Sequence, residues 1–375
     1  MPAEIRLPGR EEPLIIAEPR WARGYPPPVS RSVYAAAHVA ARPGGEIDWE
    51  STLGFRDFLW DHGFAVAEAM DTAQRGLGLP WSAARELIAR SAARAAERGA
   101  AIACGVGTDQ LTPGAHPLRD IAAAYEEQLG AVQQTGAAVI LMASRALAAS
   151  ARSGQDYLDV YLSLLRQADR PVILHWLGDA FDPELAGYWG APDFEPAAAV
   201  VTALAERAEG KMAGVKLSVL NAGHEVALRR RLPPGVRLYT GDDFHYDELI
   251  RGDAQGHSDA LLGAFAAVTA PAAAALRALD AGDLAGYDAA IGPTMPLSRT
   301  IFEEPTPCYK VGVAFLAWLN GLQPHFAMLG GLQRRRTPEH LVRVFELAAR
   351  AGALLEPGLA ATRMTEYLAG NQVTR

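Results

Sequence analysis

The chain of 375 residues has just three lysines, Lys211, Lys216 and Lys310, and takes the rest of its basic charge from arginine. An amine can shed its proton and add to a carbonyl, whereas a guanidinium stays protonated. Lys216 is set apart by its surroundings. It lies in Ala213-Gly214-Val215-Lys216-Leu217-Ser218, which is otherwise apolar and has the length of a buried strand. Burial there lowers an amine's pKa and makes it a candidate nucleophile. The same position also suits a lysine whose stem packs on the strand while its head reaches solvent.

A second chemistry competes with the covalent one. His38, Glu68, His175, Asp243, His245 and His257 are residue types that bind divalent ions when several strands bring them together. None of them sits in a local metal signature, and the helix-borne HExxH spacing is absent. Cys104 and Cys308 are far apart and form no CxxC pair, which excludes a cysteine-based zinc site and suits a reducing cytosol.

Composition narrows the class further. Half the residues are apolar and 21% are charged, as in a globular enzyme rather than a disordered chain. A net charge of −8 argues against general nucleic-acid binding. The arginine triplets at 229–231 and 334–336 read as solvated helix ends or loops, with phosphate or subunit contacts as the alternative. Early acidic residues and the lack of a long apolar core predict no signal peptide, and no apolar run reaches membrane-spanning length. A cytoplasmic protein is expected.

The elements that must position Lys216 follow from periodicity. After an N-terminal arm over 1–31 rich in Pro, Arg and Glu, short apolar runs alternate with helical stretches. Strands are predicted at 32–40, 63–70, 100–105, 137–142, 171–177, 213–218 and 236–239, with a weak eighth near 256–261. Nearly all-apolar strands alternating with helices mean a parallel sheet covered on both faces. Eight such units over 32–262 predict an α/β fold, a (β/α)₈ TIM barrel. A doubly wound sheet is disfavoured, because Ala41-Arg42-Pro43-Gly44-Gly45 lacks a dinucleotide fingerprint. Residues 263–375 read as a helical C-terminal extension, with helices at 262–279, 282–303, 308–321, 337–353 and 356–369.

In such a barrel chemistry gathers at the C-terminal ends of the strands. Those positions hold His38; Glu68, Asp71 and Thr72; Thr108 and Asp109; Ser144 and Arg145; and His175 and Asp179. They continue with Lys216 and Ser218; Asp242, Asp243 and His245; and, in the last unit, His257, Ser258 and Asp259. The opposite ends carry nothing comparable, which points to an enzyme rather than a structural module.

Four segments, in order, resemble the dihydrodipicolinate synthase / N-acetylneuraminate lyase superfamily of class I aldolases. Ala103-Cys104-Gly105-Val106-Gly107-Thr108 is similar to its third-strand AGxG turn, and Pro171-Val172-Ile173-Leu174-His175-Trp176 to its fifth strand, PxxLYN. Gly214-Val215-Lys216-Leu217-Ser218 is similar to the GIKxx lysine strand, and Tyr239-Thr240-Gly241-Asp242-Asp243 to the SGDD turn. The run from Ile301 to Pro307, followed by Lys310, is similar to the family's LFxEPNPxPxK helix entry. More closely, the whole chain resembles an actinobacterial branch of that superfamily that forms a domain of unknown function.

The resemblance implies that Lys216 is the Schiff-base lysine and that Asp242 and Asp243 lie near substrate hydroxyls or structure the rim. It puts His175 where the family has a proton-shuttling tyrosine, a task that imidazole chemistry can also perform. The family's GTTGE loop is replaced by 68–76, where only Thr72 matches, and its tyrosine-bearing loop by Ser144-Arg145. The expected function is therefore a Schiff-base-forming lyase, an aldolase or dehydratase, acting on an oxo-acid or sugar-derived carbonyl compound. Lys216 and His175 would be catalytic, with Thr72, Ser144, Arg145, Asp242, Asp243, His245 and His257 binding substrate. Arg145 or Arg75 would take a carboxylate. No cofactor and no metal are implied. The expected partners are a small-molecule carbonyl substrate and other copies of the chain, as a dimer or tetramer. The alternative is a metal-dependent sugar isomerase, epimerase or hydrolase using Glu68, His38, His175 and Asp243. A barrel that only binds a ligand is the third reading.

Overall fold

A computed structural model describes residues 1–371. A two-stranded antiparallel sheet, β1 (Ala3–Ile5) and β2 (Leu14–Ile16), forms in the N-terminal arm. Eight further strands close into a barrel: β3 (Val33–Ala36), β4 (Ala65–Glu68), β5 (Ile102–Val106), β6 (Ala138–Leu141), β7 (Val172–Leu177), β8 (Met212–Ser218), β9 (Arg237–Thr240) and β10 (Asp259–Leu262). Their order is β10-β3-β4-β5-β6-β7-β8-β9. The TIM barrel expected from the alternation is present.

The apolar character of the strands follows from burial on both faces. All six residues of β7 are buried, and in β8 all but Ala213 are. Helices end where the sequence provides for it. Ser144 caps Arg145–Ser150 by accepting from the Leu147 amide, Ser153 and Asp156 form a capping box for Gly154–Gln167, and Gly99 in the left-handed region closes Trp81–Arg98.

Two compact units divide the chain. The first comprises Met1–Phe64, Thr72–Gly78 and the residues from Gly263 on. Within it the arm is tied down by polar contacts. Ser30 donates from both its amide and its hydroxyl to Asp280, at 2.9 and 2.6 Å, and the Trp21 indole donates to the Gly352 carbonyl at 2.8 Å. The second unit, Ala65–Asp71 and Leu79–Leu262, holds β4 to β10 and the strand of Lys216.

Three expectations need correction. Strand β10 starts at Asp259, three residues later than the run read near 256–261, because Gly256 is used in a bridge with Asp253. His257 and Ser258 therefore precede the strand instead of standing at its C-terminal end. The helix read over 282–303 is two, Leu284–Ile291 and Thr294–Ile301, parted at Gly292-Pro293; proline lacks the amide a continuous helix needs. The helix read over 262–279 is also two, Ala264–Ala267 and Thr269–Asp280, parted at Val268.

Candidate active site

Strand register builds the centre of the site. His175 on β7 and Lys216 on β8 are direct partners, and Lys216 in turn pairs with Tyr239 on β9. Residues paired across parallel strands present their side chains to the same face, as do residues two apart on one strand. His175, Lys216, Tyr239, Gly214 and Ser218 therefore share one face. Two consequences are visible. His175 Nε2 lies 3.3 Å from Ser218 Oγ. Gly214 leaves room for the Tyr239 ring, since a β-carbon there would sit 2.7 Å from Cε2.

Lys216 is 7% exposed. Among the described residues it has neither a hydrogen bond nor an ion pair, and burial lowers its pKa from the ordinary lysine value. The carboxylates of Asp71 and Asp243 act the other way, favouring the ammonium. His175 is fully buried, and burial together with the Lys216 charge holds its imidazole well below its ordinary value, so the ring is neutral. Its Nδ1 has no hydrogen-bond partner and lies 3.9 Å from Asp71 Oδ2, too far for a hydrogen bond.

Asp71 reaches this position through an unusual loop. After β4 the chain passes Ala69 at φ 53°, makes the short 3₁₀ turn Asp71–Ala73, and passes Gln74 at φ 67°. Left-handed conformations at non-glycine residues cost energy and persist only where surrounding structure enforces them.

The two aspartates after β9 divide their work. Asp242 Oδ1 accepts from the amides of Phe244 and His245, at 2.9 and 3.1 Å, and its carboxylate also meets His245 Nδ1 at 3.0 Å. Asp242 thus fixes the turn and His245. Asp243, 3% exposed, is the one whose charge acts on Lys216.

After β6, Ser144 and Arg145 are both engaged. Ser144 Oγ lies 2.6 Å from Thr108 Oγ1, and its amide donates to Tyr188 Oη at 3.0 Å. That hydroxyl belongs to a buried trio: Tyr188 to Tyr161 at 2.7 Å, Tyr161 to Tyr125 at 3.3 Å, and Tyr125 donating to the Met142 carbonyl at 2.5 Å. Burial pushes the Tyr125 phenol up to about 12, so the trio stays protonated. Arg145 Nε is 2.6 Å from Asp182, and its Nη1 is 3.2 Å from Glu184.

The other predicted residues have contacts of their own. Thr72 and Arg75 belong to the first unit, where Thr72 Oγ1 meets the Tyr309 hydroxyl at 2.7 Å. His38, also there, holds Gln323 Oε1 at 2.7 Å, and burial lowers its pKa to about 4. Glu68 turns back to accept from the Ala69 amide. His257 precedes β10 and packs against Gly252. Among the described residues no three or more His, Cys, Asp or Glu side chains form a group that could hold a metal ion. The metal-dependent alternative therefore has no ligand cluster behind it.

A family model described as protein of unknown function (DUF993) matches residues 8–373. The chain belongs to that family. No curated protein matches the sequence of this DUF993 chain. Solved structures match its fold: dihydrodipicolinate synthase from Aquifex aeolicus, at 16% identity and a TM-score of 0.66, covers 87% of this chain and 99% of its own. The chloride-inhibited dihydrodipicolinate synthase from Acinetobacter baumannii, in complex with pyruvate, has 17% identity and a TM-score of 0.66 over 87% and 100%. A dihydrodipicolinate synthase from Bacillus anthracis has 16% identity and a TM-score of 0.64 over 84% and 97%. The DUF993 chain thus has the fold of these enzymes. Among its described residues no helix is long and apolar enough to cross a membrane.

Two site residues of this DUF993 chain escaped selection from sequence. Asp71 and Ser218 both stood at strand ends, but Asp71 was passed over for its neighbour Thr72, and Ser218 had no motif of its own. The tyrosine trio left no signal, because its members come from two α-helices and a short 3₁₀ turn and meet through tertiary packing alone.

Proposed function

We propose that this protein is a lyase that forms a Schiff base through Lys216, acting as an aldolase or dehydratase on an oxo-acid or sugar-derived carbonyl compound. One observation carries the reading: a buried amine without a hydrogen bond or ion pair among the described residues, its pKa lowered by burial, beside a neutral and fully buried histidine. An amine so placed is a nucleophile at a pH where an exposed lysine is not.

The free amine adds to the substrate carbonyl carbon, and the former carbonyl oxygen takes up protons and leaves as water. The resulting iminium is an electron sink. Loss of the β-hydroxyl proton to a base breaks the α–β carbon bond, and its electron pair passes into the iminium. An enamine and an aldehyde result. In a dehydratase an α-proton is lost and the β-hydroxyl leaves as water. In the aldolase, protonation of the enamine carbon and hydrolysis of the C=N bond release the second product; in the dehydratase, loss of the β-hydroxyl leaves a conjugated iminium whose hydrolysis releases the product, and both routes restore the amine. Neutral His175, with Nδ1 unpartnered and Nε2 against Ser218 Oγ, is the proton carrier in this scheme. Asp242, Asp243 and His245 would meet substrate hydroxyls, and Ser144 would take the carbonyl end. The reading brings with it a homo-oligomer, a dimer or tetramer, which light scattering tests directly.

Borohydride reduction in the presence of a panel of oxo-acids and keto-sugars, followed by peptide mass spectrometry, tests the chemistry. An adduct on Lys216, lost in Lys216→Arg, is expected. Absence of any adduct, or undiminished turnover by Lys216→Arg, overturns the reading.

A further inference from the structure

With Lys216 read as the Schiff-base amine, the groups around it bear on the charge of its substrate. Asp71 and Asp243 are the charged neighbours that act on the amine. His175 supplies no positive charge, being neutral. Arg145 feels Asp71 but is already bound to Asp182 and Glu184, at 2.6 and 3.2 Å. This set holds two cations, Lys216 and Arg145, against four carboxylates.

Schiff-base formation does not alter that balance, because the iminium carries the same single charge as the ammonium. A carboxylate beside the substrate carbonyl would be a third anion near a cation that Asp71 and Asp243 already face. The set has no cation left to receive it. Repulsion between like charges in a partly buried site is strong enough to govern binding. Hydroxyls meet the opposite situation. The Asp71 carboxylate can accept from them, Ser218 Oγ can accept or donate, and His175 Nδ1, which is buried, unpartnered and on the Asp71 side of the ring, can do either according to its tautomer.

We infer that the substrate is an uncharged polyhydroxy carbonyl compound, such as a ketose or smaller hydroxyketone, and that Asp71 discriminates against 2-oxo acids. The inference rests on the Schiff-base reading of Lys216, and the experiment separates the two. The full-length protein is incubated with cyanoborohydride and either dihydroxyacetone, erythrulose or pyruvate. In each case Nζ adds to the carbonyl carbon, water leaves, and hydride from the reagent reduces the C=N bond to a stable secondary amine. Because the chain has three lysines, a peptide map assigns the adduct without ambiguity.

The wild type should label Lys216 at least about tenfold faster with one of the hydroxyketones than with pyruvate, and Asp71→Asn should cut that ratio by at least about tenfold. Asp71→Thr removes the same charge and serves if Asp71→Asn does not fold. Pyruvate labelling as fast as the hydroxyketones, or a ratio unchanged in the variants, overturns the inference while leaving Lys216 a Schiff-base amine. No labelling of Lys216 by any of the three, in wild type or variants, overturns the Schiff-base reading and this inference with it.

Discussion

Gly241 and Lys216 are fitted to one another by volume. The Gly241 amide donates to the Leu217 carbonyl at 2.8 Å, which draws the turn after β9 against β8. At that approach a β-carbon on Gly241 would lie 2.9 Å from Lys216 Cε, 2.9 Å from the Leu217 carbonyl oxygen, and closer still to Ser218 Oγ. Backbone and side chain are both hit, so no single rotamer change relieves the clash. Gly241→Ala is expected to destabilise the protein by about 1–3 kcal/mol, the usual cost of overpacking. It should also slow reductive labelling of Lys216, since the amine is displaced from its place beside His175. Urea denaturation and labelling rate check the two effects. A stable variant with wild-type labelling would show that the turn yields without moving the lysine.

Legibility from sequence tracked how local the cause was. The strands from Gly63 to Thr240 could be read because burial on both faces writes itself as unbroken apolar runs, and β7 and β8 are the clearest cases. Lys216 could be read for the same reason, as an amine in a run where nothing else is charged. His257 was misplaced because β10 has only four residues and follows a glycine turn, so the sequence marks neither of its ends. Asp71 was undervalued because its position depends on the left-handed Ala69 and Gln74, conformations that side-chain type does not announce. The split roles of Asp242 and Asp243 were also hidden, since adjacent aspartates look alike until one is seen gripping the turn.

The pH response of Lys216 should depend on Asp243. Burial lowers the amine's pKa, and the Asp243 carboxylate partly restores it by stabilising the ammonium. Removing that charge takes away the stabilisation, so the pKa falls further and more free amine is present at a given pH. For Asp243→Asn the midpoint of the pH–labelling curve is expected to move down by about half to one unit. The rate of reductive labelling of Lys216, measured from pH 6 to 10, checks the shift. A midpoint that moves up would contradict the placement of Asp243 beside the amine.

Glu225 offers a test of stability away from the amine. It lies in the helix Ala222–Arg229 and is 1% exposed. Burial pushes its pKa up to about 8 from an ordinary value of 4.5, with the Ser258 and Thr240 hydroxyls and the Arg229 charge only partly opposing. The folded state therefore holds the Glu225 proton more tightly than the unfolded chain does. Its contribution to stability is complete below the unfolded value and is lost as pH rises toward the folded one. Glu225→Gln keeps the shape and removes the titration. Relative to wild type it should be of similar stability at pH 5 and more stable by on the order of 2–4 kcal/mol at pH 9. Urea denaturation at the two pH values measures the difference. Parallel pH dependence in the two proteins would mean that Glu225 ionises in the fold as readily as in the unfolded chain.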